Sequence, residues 1–199
     1  MHHSSQALLI FIKNPEKGKV KTRLAATVGD ERALRIYRAL LKYTRNLALE
    51  VASERYLFYS RFIEENDEWS GRQFHKELQE GEDLGERMYR AFAVTLGRHG
   101  KAVIIGSDCP TLTPAIVEEA FRRLDDHDYV IGPARDGGYY LLGMRELRPE
   151  LFRDIPWSTD QVRSLTIDRI KERGQTYFLL PELSDIDRAE DWEEYGWEL

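Results

Sequence analysis

The chain has 199 residues, of which 42% are hydrophobic and 32% are charged, and it carries a formal net charge of −6. This length suits one compact domain with a sizeable core, which we expect over residues 6–199. The acidic balance argues against a nucleic-acid-binding protein, because such proteins present an extended basic face. We expect neither a membrane span nor a signal peptide. A single cysteine, Cys109, fits a reducing compartment, and the sequence predicts a cytoplasmic protein.

Residues 1–5 include His2 and His3 and are expected to be a disordered N-terminus or the remnant of a tag. After them, segments of strand and helix character alternate. The predicted strands cover residues 7–12, 55–59, 103–105, 129–131, 139–142 and 176–180. Helix starts are indicated by Asp30, by Asp83 with a glutamate three residues later, and by Thr113 before a proline. This alternation predicts a mostly parallel sheet that is covered by helices on both faces.

A basic loop directly follows the first predicted strand. Five lysine and arginine residues stand from Lys13 to Arg23, opposed only by Glu16, although the whole chain is acidic. Gly18 permits close backbone approach, and lysine and arginine donate charge-assisted hydrogen bonds to phosphate. The loop therefore predicts a site for an anionic ligand, with a solvated charge run as the alternative. It is not a P-loop, because the required glycine spacing is absent.

The predicted strand at 103–105 ends in the sequence Gly-Ser-Asp-Cys-Pro at 106–110. Ligands of open α/β sheets bind outside the carboxyl ends of the strands. Asp108 is therefore placed to hold a divalent metal ion and, through it, a diphosphate. The alternative is that Asp108 only stabilises the turn, where aspartate and proline are common. We interpret Cys109 as a small packing residue.

Two later segments also carry carboxylates. Asp136 stands in the sequence Arg-Asp-Gly-Gly-Tyr-Tyr at 135–140, where the glycines indicate either a close backbone approach or a hairpin turn. Asp185 and Asp187 lie two residues apart, on one face if the chain is extended. Asp185 is a candidate second metal ligand, whereas Asp187 is interpreted as the cap of a last helix that begins at Arg188.

Three motifs, in one order along the chain, resemble a single bacterial family. They are Phe-x-Lys-x-Pro-x-x-Gly-x-Val-Lys-Thr-Arg-Leu at 11–24, Gly-Ser-Asp-Cys-Pro at 106–110, and Gly-Pro-Ala-x-Asp-Gly-Gly-Tyr-Tyr-Leu-Leu-Gly at 132–143. On these residues the chain is similar to the DUF2064 family, also described as selenodomain-associated or arsenosugar-type transferases, from about residue 7 to residue 192. The resemblance implies the GT-A fold of nucleotide-diphospho-sugar transferases, which is a Rossmann-like three-layer α/β/α sandwich. The segment at 185–191 departs from related chains, because Arg-Ala replaces Thr-Pro there.

The resemblance also implies a cleft for a nucleotide-activated donor, a Mg²⁺ or Mn²⁺ ion and a small acceptor. The residues expected to bind the nucleotide phosphates are Lys13, Gly18, Lys21, Thr22, Arg23 and Ser107. The expected metal ligands are Asp108 and Asp185, and the expected catalytic residues are Asp136, as general base, and Lys21. The residues expected on the acceptor and sugar side are Gly137, Gly138, Tyr139, Trp157, Ser158 and Thr159. As alternatives, Trp157 packs in the core and Thr159 caps a helix that begins at Asp160.

Three functions remain open at this point. The favoured one is metal-dependent glycosyl transfer from a nucleotide sugar to a small acceptor. The second is nucleotidyl transfer of the guanylyltransferase type, in which a nucleoside triphosphate is the donor and pyrophosphate is released. The third is nucleotide binding without catalysis. The sequence does not define the donor sugar, the base, the acceptor or the oligomeric state.

Overall fold

A computed structural model describes residues 6–199, in which strands and helices alternate. The expected tag remnant at 1–5 lies outside the described residues. The strands are β1 Gln6–Ile12, β2 Glu54–Tyr59, β3 His75–Leu78, β4 Lys101–Ile105, β5 Tyr129–Pro133, β6 Tyr139–Met144 and β7 Tyr177–Leu179. The helices are α1 Thr22–Val28, α2 Asp30–Glu50, α3 Leu84–Leu96, α4 Pro114–Arg123, α5 Val162–Glu172 and α6 Ala189–Tyr195.

The seven strands form one sheet in the order β3-β2-β1-β4-β6-β5-β7. Neighbouring strands are parallel except at β6, which runs antiparallel to both β4 and β5. The predicted α/β architecture with a mostly parallel sheet is confirmed. From β1 the chain builds β2 and β3 on one side and then returns to place β4 on the other side. The carboxyl ends of β1 and β4 therefore flank a topological switch point, where open α/β sheets bind their ligands.

Helices cover both faces of the sheet because the central strands are apolar on both faces. Residues 7–10 of β1 are fully buried, and residues 102–105 of β4 are at most 4% exposed. One core cluster packs the sheet against α2 and α4, and a second packs it against α3 and α5. Within residues 6–199, no helix has both the length and the apolar character that crossing a membrane requires. The buried strands hold the loops at the switch point in fixed positions.

Local sequence signals locate most, but not all, of these elements. The Asp83 side chain caps α3 by accepting from the Glu86 backbone N–H at 2.8 Å, as predicted, and Thr113 caps α4. The helix predicted at Asp30 begins there, although Gly29 occupies the cap position. Two elements lack a clear signal in the sequence. The edge strand β3 has the polar sequence His-Lys-Glu-Leu, and α1 begins inside the basic motif.

The segment at 134–138 forms the hairpin turn between the antiparallel strands β5 and β6. It also makes a close backbone approach, so both interpretations of its glycines are correct. Gly137 has a φ of +89°, and a Cβ at this position would lie 2.3 Å from the backbone oxygen of Asp160. Gly137 thereby lets the hairpin turn pack directly against the loop that precedes α5.

We expect Gly137→Ala to destabilise the protein more than Gly174→Ala does. Both glycines have positive φ, which costs an alanine about 1–2 kcal/mol, but nothing lies within 4 Å of the Cβ position at Gly174. The additional clash with Asp160 at Gly137 falls on backbone, which cannot move aside as a flexible side chain can. Urea unfolding of both variants measures the difference. Equal losses of unfolding free energy would show that the close approach contributes nothing.

Candidate functional site

An ion pair joins the loops that follow β1 and β4 at the switch point. The Lys21 ammonium donates to Asp108 Oδ2 at 2.7 Å and to the Ile186 carbonyl at 2.6 Å. The Lys21 side chain is only 8% exposed, whereas 40% of the Asp108 side chain reaches solvent. The cationic loop and the acidic turn, which are 87 residues apart in sequence, thus meet in one cleft.

Lys21 reaches this position through an uncommon backbone conformation. It precedes the first residue of α1 with φ 48° and ψ 45°, in the left-handed region that residues with a Cβ rarely occupy. Such a conformation raises the free energy of the folded state by roughly 1–3 kcal/mol per residue, and residues that adopt it concentrate at functional sites. Here the two hydrogen bonds of the buried ammonium hold the residue in place.

The turn at 106–110 presents the Asp108 carboxylate, and a glycine makes room for it. A Cβ at Gly106 would lie 3.0 Å from Asp108 Oδ1, so a larger residue would press against the carboxylate. Burial opposes ionisation of Asp108, but the charge and hydrogen bond of Lys21, together with the charge of Lys13, outweigh that effect. They hold the pKa of Asp108 below its ordinary value. Asp108 is therefore ionised at neutral pH.

The segment at 185–187 lies beside the Asp108 turn. The Ile186 N–H donates to the Asp108 carbonyl at 2.8 Å, which fixes the two segments together. Burial and the negative charge of Asp108 raise the pKa of Asp185 to about 8, and the charges of Asp136 and Asp187 act in the same direction. The structure thus brings a second carboxyl group close to Asp108, and that group resists ionisation while no further cation is present.

Asp187 does not cap the last helix, contrary to the sequence-based interpretation. Arg188 is the cap residue, and the Asp191 carboxylate accepts from the backbone N–H groups of Asp187 at 2.9 Å and of Arg188 at 2.7 Å. The Asp187 side chain is instead available to Arg23, whose guanidinium donates to it at 2.6 Å. Both side chains of this pair are largely exposed, so the pair contributes little to stability.

Tyr37 of α2 connects the two loops beneath the ion pair. Its hydroxyl accepts from the Lys13 N–H at 2.8 Å and lies 3.3 Å from Ser107 Oγ. Ser107 is 5% exposed, so its hydroxyl is engaged inside the protein rather than presented to the cleft. No local sequence signal marks Tyr37 for this role, because its ring packs in the core as an ordinary apolar helix residue does.

The remaining cations of the basic loop do not all face the cleft. Lys17 pairs with Glu31, and Lys19 pairs with Glu16 at 3.0 Å, so both lysine charges are neutralised at the protein surface. Gly18, with φ +73°, forms the bend between them and faces the Asp30 side chain. Thr22 is exposed as the first residue of α1. Of the predicted phosphate-binding residues, the cleft thus gathers Lys13, Lys21 and Arg23.

The hairpin turn at 134–138 forms the opposite side of the cleft. Asp136 is exposed, and its Oδ1 accepts from the Gly138 N–H at 2.9 Å, which leaves Oδ2 free of that bond. Its charge affects both Asp185 and Arg23, so Asp136 belongs to the same electrostatic cluster. The predicted proton-accepting role of Asp136 stays a prediction.

The predicted acceptor-side residues of β6 and of the loop before α5 divide into residues packed on the core and residues at the surface. Trp157 packs on the core and its ring covers Gly85, where a Cβ would lie 2.4 Å from the indole nitrogen, and Tyr139 also packs against the core. Ser158 is exposed with φ +67°. Thr159 does not cap a helix at Asp160, because α5 begins at Val162. Its hydroxyl donates to the Pro156 carbonyl at 2.7 Å.

The carboxylate oxygens of the cleft suit a hard divalent ion that the protein encloses only in part. Within residues 6–199, no three His, Cys, Asp or Glu side chains converge on a metal site. Mg²⁺ usually takes one or two carboxylates and completes its coordination with water and phosphate oxygens. Asp108 and Asp185 fit that pattern. Burial and the charge of Asp108 raise the pKa of Asp185, and a bound cation would offset the second of these effects. The metal role of both residues stays a prediction.

Comparison with known proteins identifies the family. Residues 43–159 match the DUF2064 family, described as uncharacterized proteins conserved in bacteria. A crystal structure from Desulfovibrio desulfuricans G20, classed provisionally as a nucleotide-diphospho-sugar transferase, is 33% identical, with a TM-score of 0.87 over 93% of this chain and 83% of that one. The chain belongs to the DUF2064 family. The family suggested by the three sequence motifs is thereby confirmed.

More distant structures share the fold of this DUF2064 protein. The inositol-1-phosphate CTP transferase from T. maritima is 12% identical, with a TM-score of 0.61 over 94% of this chain and 91% of that one. Glucosyl-3-phosphoglycerate synthase from Mycobacterium tuberculosis, solved with Mn²⁺ and UDP, is 14% identical, with a TM-score of 0.58 over 97% and 75%. Among curated proteins, none matches the sequence significantly. These likenesses confirm the GT-A-type fold and nothing further.

We expect the metal-free protein to lose stability as pH rises from about 5 to 8. Asp185 keeps its proton in the folded state up to about pH 8, whereas the unfolded chain releases it near pH 4. The folded state therefore binds more protons across this window, and stability falls by at most about 1.4 kcal/mol per pH unit. Urea unfolding in EDTA at several pH values measures the slope.

Asp185→Asn should flatten this pH dependence, whereas Asp187→Asn, which removes the smallest of the charges that raise the pKa of Asp185, should retain most of it. Parallel slopes for the wild type and Asp185→Asn would contradict the raised pKa.

Proposed function

We propose that this protein is a divalent-metal-dependent transferase that acts on a nucleotide-activated donor, and that it transfers a glycosyl group from a nucleotide sugar to a small acceptor. The observation that carries the proposal is the Lys21–Asp108 pair at the switch point, which sets cationic and acidic groups side by side in one cleft. The relative from Desulfovibrio desulfuricans, classed provisionally as such a transferase, supports the same activity.

Three cations of the cleft are suited to bind the donor phosphates. A lysine ammonium has three donors, and Lys21 uses two of them on Asp108 and Ile186, so one donor remains for a phosphate oxygen. Arg23 and Lys13 are exposed at the same edge and would neutralise further phosphate charge. A phosphate group would compete with Asp187 for the Arg23 guanidinium, and the exposed pair is weak enough to exchange.

Asp108 and Asp185 would hold Mg²⁺ or Mn²⁺, and the ion, when bound, would stabilise negative charge on the departing nucleoside diphosphate. The Mn²⁺ and UDP named with the M. tuberculosis synthase support this assignment. Ionisation of Asp185 would accompany metal binding, because a carboxylate must be deprotonated to act as a ligand. Lys21 would hold the Asp108 carboxylate in its orientation throughout.

Asp136 would orient the acceptor hydroxyl and accept its proton. The Gly138 N–H fixes Oδ1, so Oδ2 is the oxygen that can receive the proton. Its exposure leaves room for a small acceptor on this side of the cleft. Ser158 and Thr159, on the neighbouring loop, would contact that acceptor. Tyr139 and Trp157 would support the same wall from the core rather than stack on the ligand.

Nucleotidyl transfer is the second candidate. It is favoured by the likeness to the T. maritima CTP transferase and by the central position of Lys21, which could neutralise a pentavalent phosphorus. The two reactions release different products from their donors: glycosyl transfer releases a nucleoside diphosphate, and nucleotidyl transfer releases pyrophosphate.

We expect a nucleotide sugar to raise the melting temperature in the presence of Mn²⁺. A ligand at 100 times its Kd adds about 2.7 kcal/mol, which corresponds to roughly 5–10 °C for a chain of this size. Asp108→Asn should abolish the Mn²⁺-dependent part of the shift. Asp125→Asn is the matched control, because Asp125 forms an ion pair with Lys101 at the other end of β4, at 2.6 Å. An unchanged shift in Asp108→Asn would refute the metal role.

We further expect turnover of the stabilising donor to release a free nucleoside diphosphate. Product analysis by ion-exchange chromatography, with a panel of small hydroxyl-bearing acceptors, measures it. Asp136→Asn should lower kcat at least 10²-fold, because general base catalysis contributes about 10²–10⁴-fold, while donor binding persists. Release of pyrophosphate from a nucleoside triphosphate would instead establish nucleotidyl transfer. Tight binding without release of either product would establish the non-catalytic alternative.

A further inference from the structure

A groove of about 640 Å³ lies beside the cleft, between α2 and the loop that joins β2 to β3. Its walls include Ile12 and Pro15 from the end of β1 and its loop, Leu41 from α2, and Trp69 from the β2–β3 loop. This volume falls within the range of small-molecule sites, which are mostly apolar with a few polar groups that fix the ligand. Pro15 belongs to the motif at 11–24, but none of the residues proposed to bind the donor, the metal ion or the acceptor lines this groove.

The acidic side chains that line the groove are already neutralised by other protein groups. Asp67 accepts from the Lys76 ammonium at 2.8 Å and from the Tyr59 hydroxyl at 2.6 Å. Glu68 accepts from the Arg45 guanidinium at 3.0 Å. These contacts leave no acidic group of the wall available to bind a cation, so the groove does not suit a cationic ligand.

Two cations of the groove have no such partner. Within the described part of the chain, no carboxylate lies within ion-pair distance of Arg38 or Lys42. Glu31, whose pKa Arg38 helps to lower, is itself engaged by Lys17. The two cations are exposed and stand four residues apart on α2, so they share one helix face with their Cβ atoms about 5–6 Å apart. In a protein of net charge −6, an unpaired cation pair along an apolar groove is complementary to an anion.

We propose that this groove binds a small organic phosphate monoester. Its phosphate lies between Arg38 and Lys42, and its non-polar part lies against Pro15, Leu41 and Trp69. The Arg38 guanidinium presents a planar fork that matches two phosphate oxygens, and Lys42 supplies a second positive charge for the dianion. The apolar walls recognise the organic part, which inorganic phosphate lacks. The site is separate from the Lys21–Asp108 cleft and goes beyond the proposed transferase activity.

The groove and the cleft share one structural element, the loop at 12–15. Pro15 lines the groove, while Lys13 lies two residues earlier on the cleft side. The helix connects them as well, because Tyr37 binds the Lys13 backbone and is adjacent to Arg38. A ligand in the groove therefore lies within reach of the segment that carries a cation of the cleft.

The test uses 1-naphthyl phosphate as the probe, in EDTA and without nucleotide, so that it does not depend on the transferase proposal. Isothermal titration calorimetry should show binding to the wild type, with inorganic phosphate and 1-naphthol each at least tenfold weaker. The double variant R38Q/K42Q should bind the probe at least tenfold more weakly. The control is R32Q/R35Q, which removes the same charge from exposed positions of the same helix outside the groove and should bind within twofold of the wild type.

Absence of probe binding to the wild type would overturn the proposal, and so would unchanged binding in R38Q/K42Q, since the probe would then occupy the main cleft. Equal weakening in R32Q/R35Q would show only non-specific attraction to a basic helix, which also overturns it. Far-ultraviolet circular dichroism verifies that the variants are folded. A separate failure of the Asp108→Asn experiment would refute the transferase mechanism and leave this result standing.

Discussion

The ion pair between Lys21 and Asp108 is the contact on which the rest of the site depends. It is made between the loops after β1 and β4, and it is possible only because those strands are hydrogen-bonded neighbours. Without Asp108 the buried Lys21 ammonium would lack a counter-charge, which is costly, and without Lys21 the Asp108 carboxyl group would ionise less readily. The pair therefore fixes both the position of the basic loop and the charge of the acidic turn. The Ile186 carbonyl, which accepts from the same ammonium, ties the segment at 185–187 to the same point.

The surroundings of this pair bring a second carboxyl group, that of Asp185, close to Asp108. Asp185 lies next to Asp108 and remains protonated at neutral pH because its burial and the negative charge of Asp108 both raise its pKa. In the proposed function, Asp108 and Asp185 hold a divalent cation, and the exposed Lys13 and Arg23 at the rim bind an anion. The diphosphate and the divalent ion of the proposed function match these two sets of residues.

Two loops hold the opposite wall of the cleft by close packing rather than by charge. Gly137 admits the backbone of Asp160, and Gly85 admits the ring of Trp157, so the hairpin turn, the loop before α5 and the start of α3 are in direct contact. This explains why the glycines of the Asp-Gly-Gly segment serve the turn and the close approach at once. Asp136 is carried on this packed unit, and its orientation is set by the Gly138 N–H.

The sequence by itself determined the class of fold, the family and the two segments that meet. Buried strands with apolar residues on both faces, helix caps such as Asp83, and a basic loop after the first strand are local signals that survive in the structure. The polar edge strand β3 lacked such a signal.

Only the tertiary structure decided which residues of those segments face each other. Lys17 forms an ion pair with Glu31 and Lys19 forms one with Glu16, away from the cleft. Asp187 pairs with Arg23 and does not cap α6. The tertiary structure also brought the hydroxyl of Tyr37 to Lys13 and Ser107, while the ring of Tyr37 packs in the core. The physical reason is that partners in an ion pair or hydrogen bond are chosen by distance in space, and a local sequence pattern carries no information about distances across the sheet.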